Sequence, residues 1–388
     1  MRRHPNGEEG VLKTLRRGET VEVRSATEIL ATLDEEGATD ALPFMPEMAR
    51  YCGNRFVIDV CASKVCDTIK KYLSRRIPDT VLLEDQPRCD GSAHDGCQAE
   101  CRLFWKESWL RRIDPGAPPP FPEAADNGKK DLMERISRCI KQTKDLDGRP
   151  MEGYRCQATE LYRASMHLGV LDPRPYVGEF TNGNVQLGRF LRITARAFAE
   201  TLHYKLRRIW NRLFDGPPNW WVHLPGTCTE PLRDGRLDLQ PGELVQVKTK
   251  EEIAATLNSN GKDRGLWFDK EMFPFCGGTF RVRQRVTRFI DDRNCRMIEL
   301  KNNECVTLES VVCSGEHSLH RYFCPRAIYP YWRESWLRRV GVDVPEAVHD
   351  RVVTLSATSR KGALKTGDPG SWPFPPVSPV PPGKGMQQ

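Results

Sequence analysis

Six of the fourteen cysteines lie at matching positions in two parts of the chain, where they could bind metal ions. The first set is Cys52, Cys89 and Cys97, and the second set is Cys276, Cys313 and Cys324. A histidine lies between the last two cysteines of each set, as His94 in the first and as His317 or His320 in the second. Three thiolates and one imidazole complete a tetrahedral Zn²⁺ site, because sulfur and nitrogen ligands suit this ion. The spacing therefore predicts two zinc sites.

The fourth ligand of the first site has two candidates. Cys101 follows Cys97 with C-x₃-C spacing, so this site could use four cysteines, or three cysteines and His94. The counterpart of Cys101 in the second part is Ile328, so that site needs a histidine, with His317 as the first choice. Two other interpretations stay open. The cysteines could be buried apolar side chains, or they could pair in disulfides.

The matching positions belong to a repeat of about 95 residues, a size typical of a compact domain. "GETVEVRSATEILATL" (18–33) aligns with "GELVQVKTKEEIAATL" (242–257) at an offset of 224. After a three-residue insertion, "FWKESWLRR" (104–112) aligns with "YWRESWLRR" (331–339). We therefore expect two homologous domains, 15–112 and 239–340.

Each repeat has a sequence pattern of short strands and tight turns, which is typical of a small barrel or a strongly bent sheet. The order of the strands resembles an SH3-like barrel. In the repeated phrase, Trp105 with Trp109 and Trp332 with Trp336 are spaced i and i+4, so an α-helix would bring each pair onto one face. We expect an α+β protein in which each β-barrel-like domain is closed by a helix with buried tryptophans.

The remaining segments differ in composition. A Pro-rich linker occupies 113–128, a helical middle domain is expected over 129–238, and the Pro-rich tail 353–388 is expected to be disordered. Within 187–213, apolar residues form one helical stripe with arginines distributed off it. Such a helix could contact an anionic membrane or nucleic acid, but its continuous stripe favours packing against the two repeats. We expect no peripheral membrane contact.

Composition limits the function classes. The net charge of +7 over 388 residues is mild, and it allows an anionic partner without requiring one. No apolar run suggests a membrane span, and the first residues do not resemble a signal peptide, so we expect a cytoplasmic protein. The sequence contains no Walker loop, no dinucleotide-binding glycine motif and no H-E-x-x-H or G-x-S-x-G motif.

"YRCQATELYRASMHLG", "FTNGNVQLGRF" and the two W-[KR]-E-S-W-L phrases extend the pattern over most of the chain. With them the sequence resembles a group of bacterial tandem-repeat proteins that are associated with polysaccharide and specialised-metabolite gene neighbourhoods. That group has no assigned chemistry. The resemblance therefore implies an architecture and a bacterial setting, and no activity.

Two functional hypotheses follow. The first is a non-enzymatic, zinc-stabilised binding or accessory protein in a bacterial biosynthetic or regulatory complex, with a protein as the expected partner and nucleic acid as a further candidate. The second is a metalloenzyme or redox protein whose second repeat keeps a coordination position open for water or substrate. The number of protein ligands at each metal distinguishes them, and the first hypothesis is favoured.

Overall fold

The computed structural model describes residues 14–69, 74–84, 88–114, 127–145, 147–169, 172–213, 224, 226–228, 236–300, 305–318 and 321–340. Most of the predicted linker 113–128, the whole tail 353–388 and the candidate ligand His320 lie outside these ranges. Within the described part of the chain, no helix has both the length and the apolar content that crossing a membrane requires.

The described residues of the first repeat form nine strands, one α-helix and two 3₁₀ helices. In chain order they are β1 (Thr20–Val23), α1 (Ala26–Thr32), β2 (Ala38–Thr39), β3 (Leu42–Pro43), a 3₁₀ helix (Pro46–Tyr51), β4 (Arg55–Cys61), β5 (Val65–Cys66), β6 (Ser74–Arg76), β7 (Thr80–Leu83), β8 (Trp105–Lys106), a 3₁₀ helix (Glu107–Trp109) and β9 (Leu110–Arg112). Helix α1 begins with a capping box, in which Ser25 and Glu28 bind each other's backbone N–H groups.

The middle of the chain mixes helices with short strands. Its elements are α2 (Asn127–Arg138), β10 (Gln142–Lys144), β11 (Pro150–Glu152), α3 (Gln157–Glu160), β12 (Met166–His167), α4 (Arg174–Thr181) and α5 (Leu187–Leu213). Strand β12 pairs with β6 of the first repeat. Leu132 and Ile136 of α2 belong to the same hydrophobic core as the first repeat. The middle is therefore not purely helical, and part of it completes the core of the first repeat.

The second repeat follows the same order of elements. They are β13 (Leu244–Val247), α6 (Lys250–Ala254), β14 (Lys262–Asp263), β15 (Leu266–Trp267), a 3₁₀ helix (Lys270–Phe275), β16 (Thr279–Arg285), β17 (Arg288–Asp291), β18 (Arg296–Glu299), β19 (Cys305–Leu308), β20 (Trp332–Arg333), a 3₁₀ helix (Glu334–Trp336) and β21 (Leu337–Arg339).

The main sheets of the two repeats have the same topology. One has the order β8-β7-β4-β1-β9 and the other β20-β19-β16-β13-β21, and each has five strands. Val21 pairs with Phe56, and Val245 pairs with Phe280, so the offset of 224 is preserved in the register. The structure is thus α+β with two equivalent small sheets.

Each main sheet is strongly bent. Its two edge strands, β8 and β9 in the first repeat, are separated by only three residues along the chain. Because consecutive Cα atoms are about 3.8 Å apart, the path from Lys106 to Leu110 spans at most about 15 Å. The edges must therefore approach each other, although no strand pairing joins them in the described residues, so neither sheet is a closed barrel.

The repeated tryptophan phrase does not form the α-helix that its spacing suggested. Trp105 lies in strand β8, and Trp109 ends a one-turn 3₁₀ helix. The flanking strands bond to β7 and β1, which satisfies more backbone groups than an isolated nine-residue helix could, and helices of that length are marginal in water. The expectation of a closing α-helix was therefore wrong.

The predicted burial of the tryptophans is confirmed. All four, Trp105, Trp109, Trp332 and Trp336, have no exposed surface. Each pair packs edge-on against one phenylalanine, Phe44 or Phe268, with ring centroids 6.0 and 5.1 Å away in both repeats. The phrase recurs because each copy places two tryptophans in its own core while its backbone joins the two edges of the sheet.

The two repeats contact each other through equivalent hairpins. The amide N–H of Cys66, in β5, donates to Sγ of Cys324 at 3.2 Å, and that of Ile290, in β17, donates to Sγ of Cys97 at 3.4 Å. Cys66 and Ile290 are related by the repeat offset, as are Thr68 and Asp292, which hydrogen-bond to each other. The repeats therefore pack with approximate two-fold symmetry, and each covers the cysteine-rich loop of the other.

Candidate metal centre

Three potential metal ligands converge in the first repeat. Glu47, Cys89 and His94 each offer a ligand atom, and these atoms lie within 4.8 Å of one another. Glu47 lies on the 3₁₀ helix Pro46–Tyr51, whereas Cys89 and His94 belong to the loop between β7 and β8. Ligand atoms around one tetrahedral Zn²⁺ are roughly 3.5 Å apart, so small side-chain rotations would bring all three onto one ion.

A tight turn holds the loop in place. Gly91 has a φ of +72°, and a Cβ there would lie 2.1 Å from the carbonyl oxygen of Cys97, so only glycine fits. The carbonyl of Gly91 accepts the N–H of His94 at 2.9 Å. The N–H of Cys89 donates to the carbonyl of Cys101 at 2.9 Å, which closes the base of the loop. The backbone therefore fixes the positions from which Cys89 and His94 project.

A second contact orients the His94 ring. Its Nε2 lies 3.2 Å from the carbonyl oxygen of Arg155. A carbonyl only accepts hydrogen bonds, so Nε2 carries a proton, which in a neutral ring leaves the lone pair on Nδ1. Histidines that bind metals commonly donate their other ring N–H in this way. His94 is almost fully buried, so the lone pair of Nδ1 is held inside the protein.

Glu47 is the most informative member of the group. It is only 6% exposed, and neither carboxylate oxygen has a hydrogen-bond partner among the residues that the structure describes. Buried carboxylates without partners are costly and rare, and an ion is one of the few explanations for them. The equivalent carboxylate in the second repeat, Glu271, accepts hydrogen bonds from Ser314 Oγ and from the N–H groups of Gly315 and His317. The unpaired carboxylate is therefore peculiar to the first repeat.

Three further thiols surround the same point. Cys97, Cys101 and Cys156 line a cavity of about 40 Å³ together with Glu47, Cys89 and His94. A cavity needs roughly 10–15 Å³ to hold one water-sized species, so an ion fits there. Burial raises the pKa of Cys101 to about 11 and that of Cys156 to about 12, and burial with the Glu47 carboxylate raises the pKa of Cys89. A thiolate here would therefore need a nearby cation, which Zn²⁺ provides.

Cys156 reaches the cavity from the middle of the chain, in the segment "CQATEL" that supplied the family resemblance. The next residue, Gln157, is buried, and both the oxygen and the nitrogen of its side-chain amide form hydrogen bonds with backbone groups of the first repeat. Its Oε1 accepts the N–H of Phe104 at 2.7 Å, and its Nε2 donates to the carbonyls of Phe104 and Pro43 at 2.9 and 3.1 Å. This segment therefore fastens the middle of the chain over the cavity.

Replacing Gln157 by leucine is expected to destabilise the protein by about 3 kcal/mol, because it leaves buried backbone groups of Phe104 and Pro43 without partners. Gln240, which is exposed, provides the control, and Gln240→Leu should change the free energy of unfolding by less than about 0.5 kcal/mol. Urea denaturation of both variants measures the difference. Equal stability of the two variants would show that the Gln157 hydrogen bonds do not stabilise the packing of the middle segment against the first repeat.

The predicted ligands of the second repeat do not converge in the same way. Cys313 and Cys324 are buried near the cross-repeat contact with Cys66, and Cys276 packs against the core of the second repeat. Nδ1 of His317 instead accepts a hydrogen bond from Arg196 of α5 at 2.9 Å. Among the described residues, only Glu47, Cys89 and His94 bring three potential metal-ligand atoms within 4.8 Å of one another.

Cys52 packs against the core of the first repeat and does not line the cavity. Sequence reasoning missed Glu47 and Cys156. Glu47 carries a signal that could have identified it, because it recurs as Glu271 in both repeats within otherwise apolar segments. Cys156 has no counterpart in the repeat alignment, and its approach to the cavity depends on tertiary packing.

The interpretation of this centre depends on the chemistry of its own residues. The donors are a carboxylate, a thiol and an imidazole, with three more thiols lining the cavity. Such mixed oxygen, sulfur and nitrogen donors are typical of zinc sites. Comparison of the chain with protein-family models, with curated proteins and with solved structures gave no match in any of the three.

Proposed function

We propose that the protein is a zinc-stabilised binding or accessory protein without catalytic activity of its own. Glu47, Cys89 and His94 would hold one Zn²⁺, and one of the thiols of Cys97, Cys101 and Cys156 would supply the fourth ligand. The ion would link the 3₁₀ helix to the cysteine-rich loop and, with Cys156 as the fourth ligand, also to the middle segment. The observation that carries the proposal is the buried, unpartnered carboxylate of Glu47 beside Cys89 and His94.

The proposal extends to the fold of each repeat. We infer that each repeat is related to SH3-like barrels, since five short strands form a bent sheet and a 3₁₀ turn joins the last two. No disulfide joins any of the fourteen cysteines, all of which lie in the described residues. Free thiols suit the reducing, cytoplasmic setting that we propose, and the resemblance noted above implies a bacterial one.

Elemental analysis tests the metal. Protein purified from zinc-supplemented cells is expected to contain about one zinc per chain, whereas Glu47→Gln should reduce the affinity for zinc about tenfold or more, because it removes an anionic ligand. Glu271→Gln is the matched control, since it changes the equivalent carboxylate of the other repeat and should leave the zinc content unchanged. Metal-free wild-type protein with undiminished stability would refute the proposal.

A metalloenzyme is the second candidate, and one observation favours it. In the described residues, only the ligand atoms of Glu47, Cys89 and His94 lie within 4.8 Å of one another. Three protein ligands and one water molecule are the usual arrangement around a catalytic zinc. The alternative thus applies to the first repeat rather than the second. X-ray absorption spectroscopy distinguishes the two: a bound thiolate from Cys97, Cys101 or Cys156 in addition to Cys89 indicates a closed structural site, whereas one sulfur and a water indicate an open one.

A further inference from the structure

Among the described side chains, one face of helix α5 contacts the second repeat. Phe190, Ile193 and Ala197 pack against Tyr322 and Phe323. On the same side, Arg189 Nε donates to Glu316 at 2.7 Å, and Glu200 accepts the hydroxyl of Tyr322 at 2.9 Å. These contacts fix the helix and determine which face turns away from the protein.

The face that turns away is apolar. Large side chains between 47% and 69% exposed recur along it, at Leu187, Leu191, Phe198, Leu202, Leu206 and Ile209. Leu213, at the end of the helix, continues the stripe and is 69% exposed. The expectation that this stripe packs against the two repeats was therefore wrong. The residues that pack, at 190, 193 and 197, lie on a different face of the helix.

The size of the stripe makes it an interaction surface. Seven side chains of about 100 Å² exposed area each give roughly 700 Å², whereas the largest apolar patch of a typical monomer covers about 300–600 Å². The stripe also lies on one continuous helix of 27 residues, which extends over about 40 Å. A surface this long and apolar needs a partner of matching length.

The charge of the helix indicates the chemistry of that partner. Between Leu187 and Leu213 the sequence contains seven lysines and arginines and one acidic residue, Glu200. Glu200 faces the second repeat, where it binds Tyr322 and Lys270, and Arg189 and Arg196 also face it, where they bind Glu316 and His317. Described cations such as Arg192 and Lys205 flank the stripe, and the stripe side of the helix has no carboxylate. An anionic partner is therefore favoured.

The same features disfavour a second copy of the chain. Two such helices packed stripe to stripe would bring cations together without carboxylates to pair with them, which is destabilising. From Leu187 to Leu213 the stripe completes seven turns in 26 residues, a period of about 3.7, whereas a coiled-coil seam needs 3.5. A broad apolar stripe with cationic borders is typical of helices that lie in the interface of a membrane.

We propose that helix α5 binds the surface of an anionic lipid bilayer, lying parallel to it with Leu191, Phe198, Leu202 and Leu206 inserted between the headgroups. The adjacent lysines and arginines contact the acidic headgroups. This surface is distinct from the Glu47 centre and does not depend on the zinc proposal.

The test uses the full-length protein and sedimentation with two kinds of vesicle, phosphatidylcholine alone and phosphatidylcholine mixed with phosphatidylserine. Binding is expected only to the mixed vesicles, and added salt should weaken it, because ions screen the attraction. The double variant Leu202→Glu/Leu206→Glu should lower the partition coefficient more than tenfold, because it removes two apolar side chains that would be buried in the bilayer. Met166→Glu is the control: it changes another exposed apolar residue, outside α5, and should bind like the wild type.

Three outcomes would overturn the proposal. One is no binding to phosphatidylserine vesicles, and another is equal binding by the double variant. The third is a dimer in analytical ultracentrifugation that the double variant abolishes, which would assign this face to a second copy. Circular dichroism of both variants verifies that they are folded, which is expected because the altered side chains are exposed.

Discussion

Replacing Cys89 by serine is expected to release the zinc that we propose for the Glu47 centre and to lower the free energy of unfolding by about 4 kcal/mol. The change removes the thiolate ligand of the group that it forms with Glu47 and His94, and the metal contribution to folding is lost with it. The Glu47 carboxylate would also remain buried without a counter-charge. For a compact unit that extends from Met1 to Val342, the melting temperature should fall by roughly 6 °C.

The second repeat provides the matched control. Cys313 is the equivalent cysteine and is buried, whereas Cys89 is partly buried, and Cys313 belongs to no metal group in the described residues. Cys313→Ser is therefore expected to cost only about 1 kcal/mol and to leave the zinc content unchanged. Metal analysis and thermal denaturation, with and without a chelator, measure both effects. Equal losses of stability in the two variants, with no difference in zinc, would contradict a metal centre in the first repeat.

The repeated architecture could be predicted from sequence because a repeat is found by aligning two stretches of the same chain, which requires no knowledge of the fold. The offset of 224 that aligns the two segments reappears in the strand register, where Val21 and Phe56 correspond to Val245 and Phe280. The tryptophan phrase shows the limit of such patterns. Spacing of i and i+4 fits an α-helix, but a strand followed by a 3₁₀ turn can also direct both side chains into one core. Hydrogen bonds to neighbouring strands favour the strand and 3₁₀ turn over the α-helix. These bonds depend on the tertiary structure and not on the local sequence.

The candidate site was predictable only in part, for a similar reason. Cys89 and His94 lie five residues apart in one loop, so sequence spacing could suggest them. Glu47 precedes them by about forty residues, and Cys156 follows by about sixty, so only folding brings them to the same cavity. In the second repeat the same residue types serve other contacts: Glu271 binds backbone N–H groups and His317 binds Arg196. Matching sequence positions need not keep matching chemistry.

The packing of the two repeats explains part of this divergence. The hairpin of each repeat contacts the cysteine-rich loop of the other, so the environment of each loop depends on the other copy. The equivalent hairpin positions hold Ile290 beside Cys97 and Cys66 beside Cys324. Contacts between residues 193 and 258 positions apart cannot be derived from local spacing. It follows only once the approximate two-fold arrangement is known.

Replacing Glu334 by alanine is expected to destabilise the protein by about 4 kcal/mol. Glu334 has no exposed surface, and its carboxylate accepts the N–H groups of Leu237, Asp238 and Leu239 at 2.6, 2.9 and 3.0 Å. Arg285 lies 3.6 Å away and balances part of the charge. Alanine would leave three backbone donors without their acceptor, whereas Arg285 keeps its bonds to the Asp238 carboxylate and the Leu239 carbonyl. Buried donors left this way cost several kcal/mol in total.

Glu107 occupies the equivalent position of the first repeat and makes a direct control. It is only partly buried, so water can replace much of what its carboxylate contributes. Glu107→Ala should therefore cost about 1 kcal/mol. Denaturation with urea gives both values, and hydrogen exchange at Leu237, Asp238 and Leu239 shows whether the segment entering the second repeat has loosened in Glu334→Ala. A loss of stability without faster exchange at these three amides would mean that the carboxylate stabilises the repeat through Arg285 instead, because removing the acceptor must expose the amides it binds.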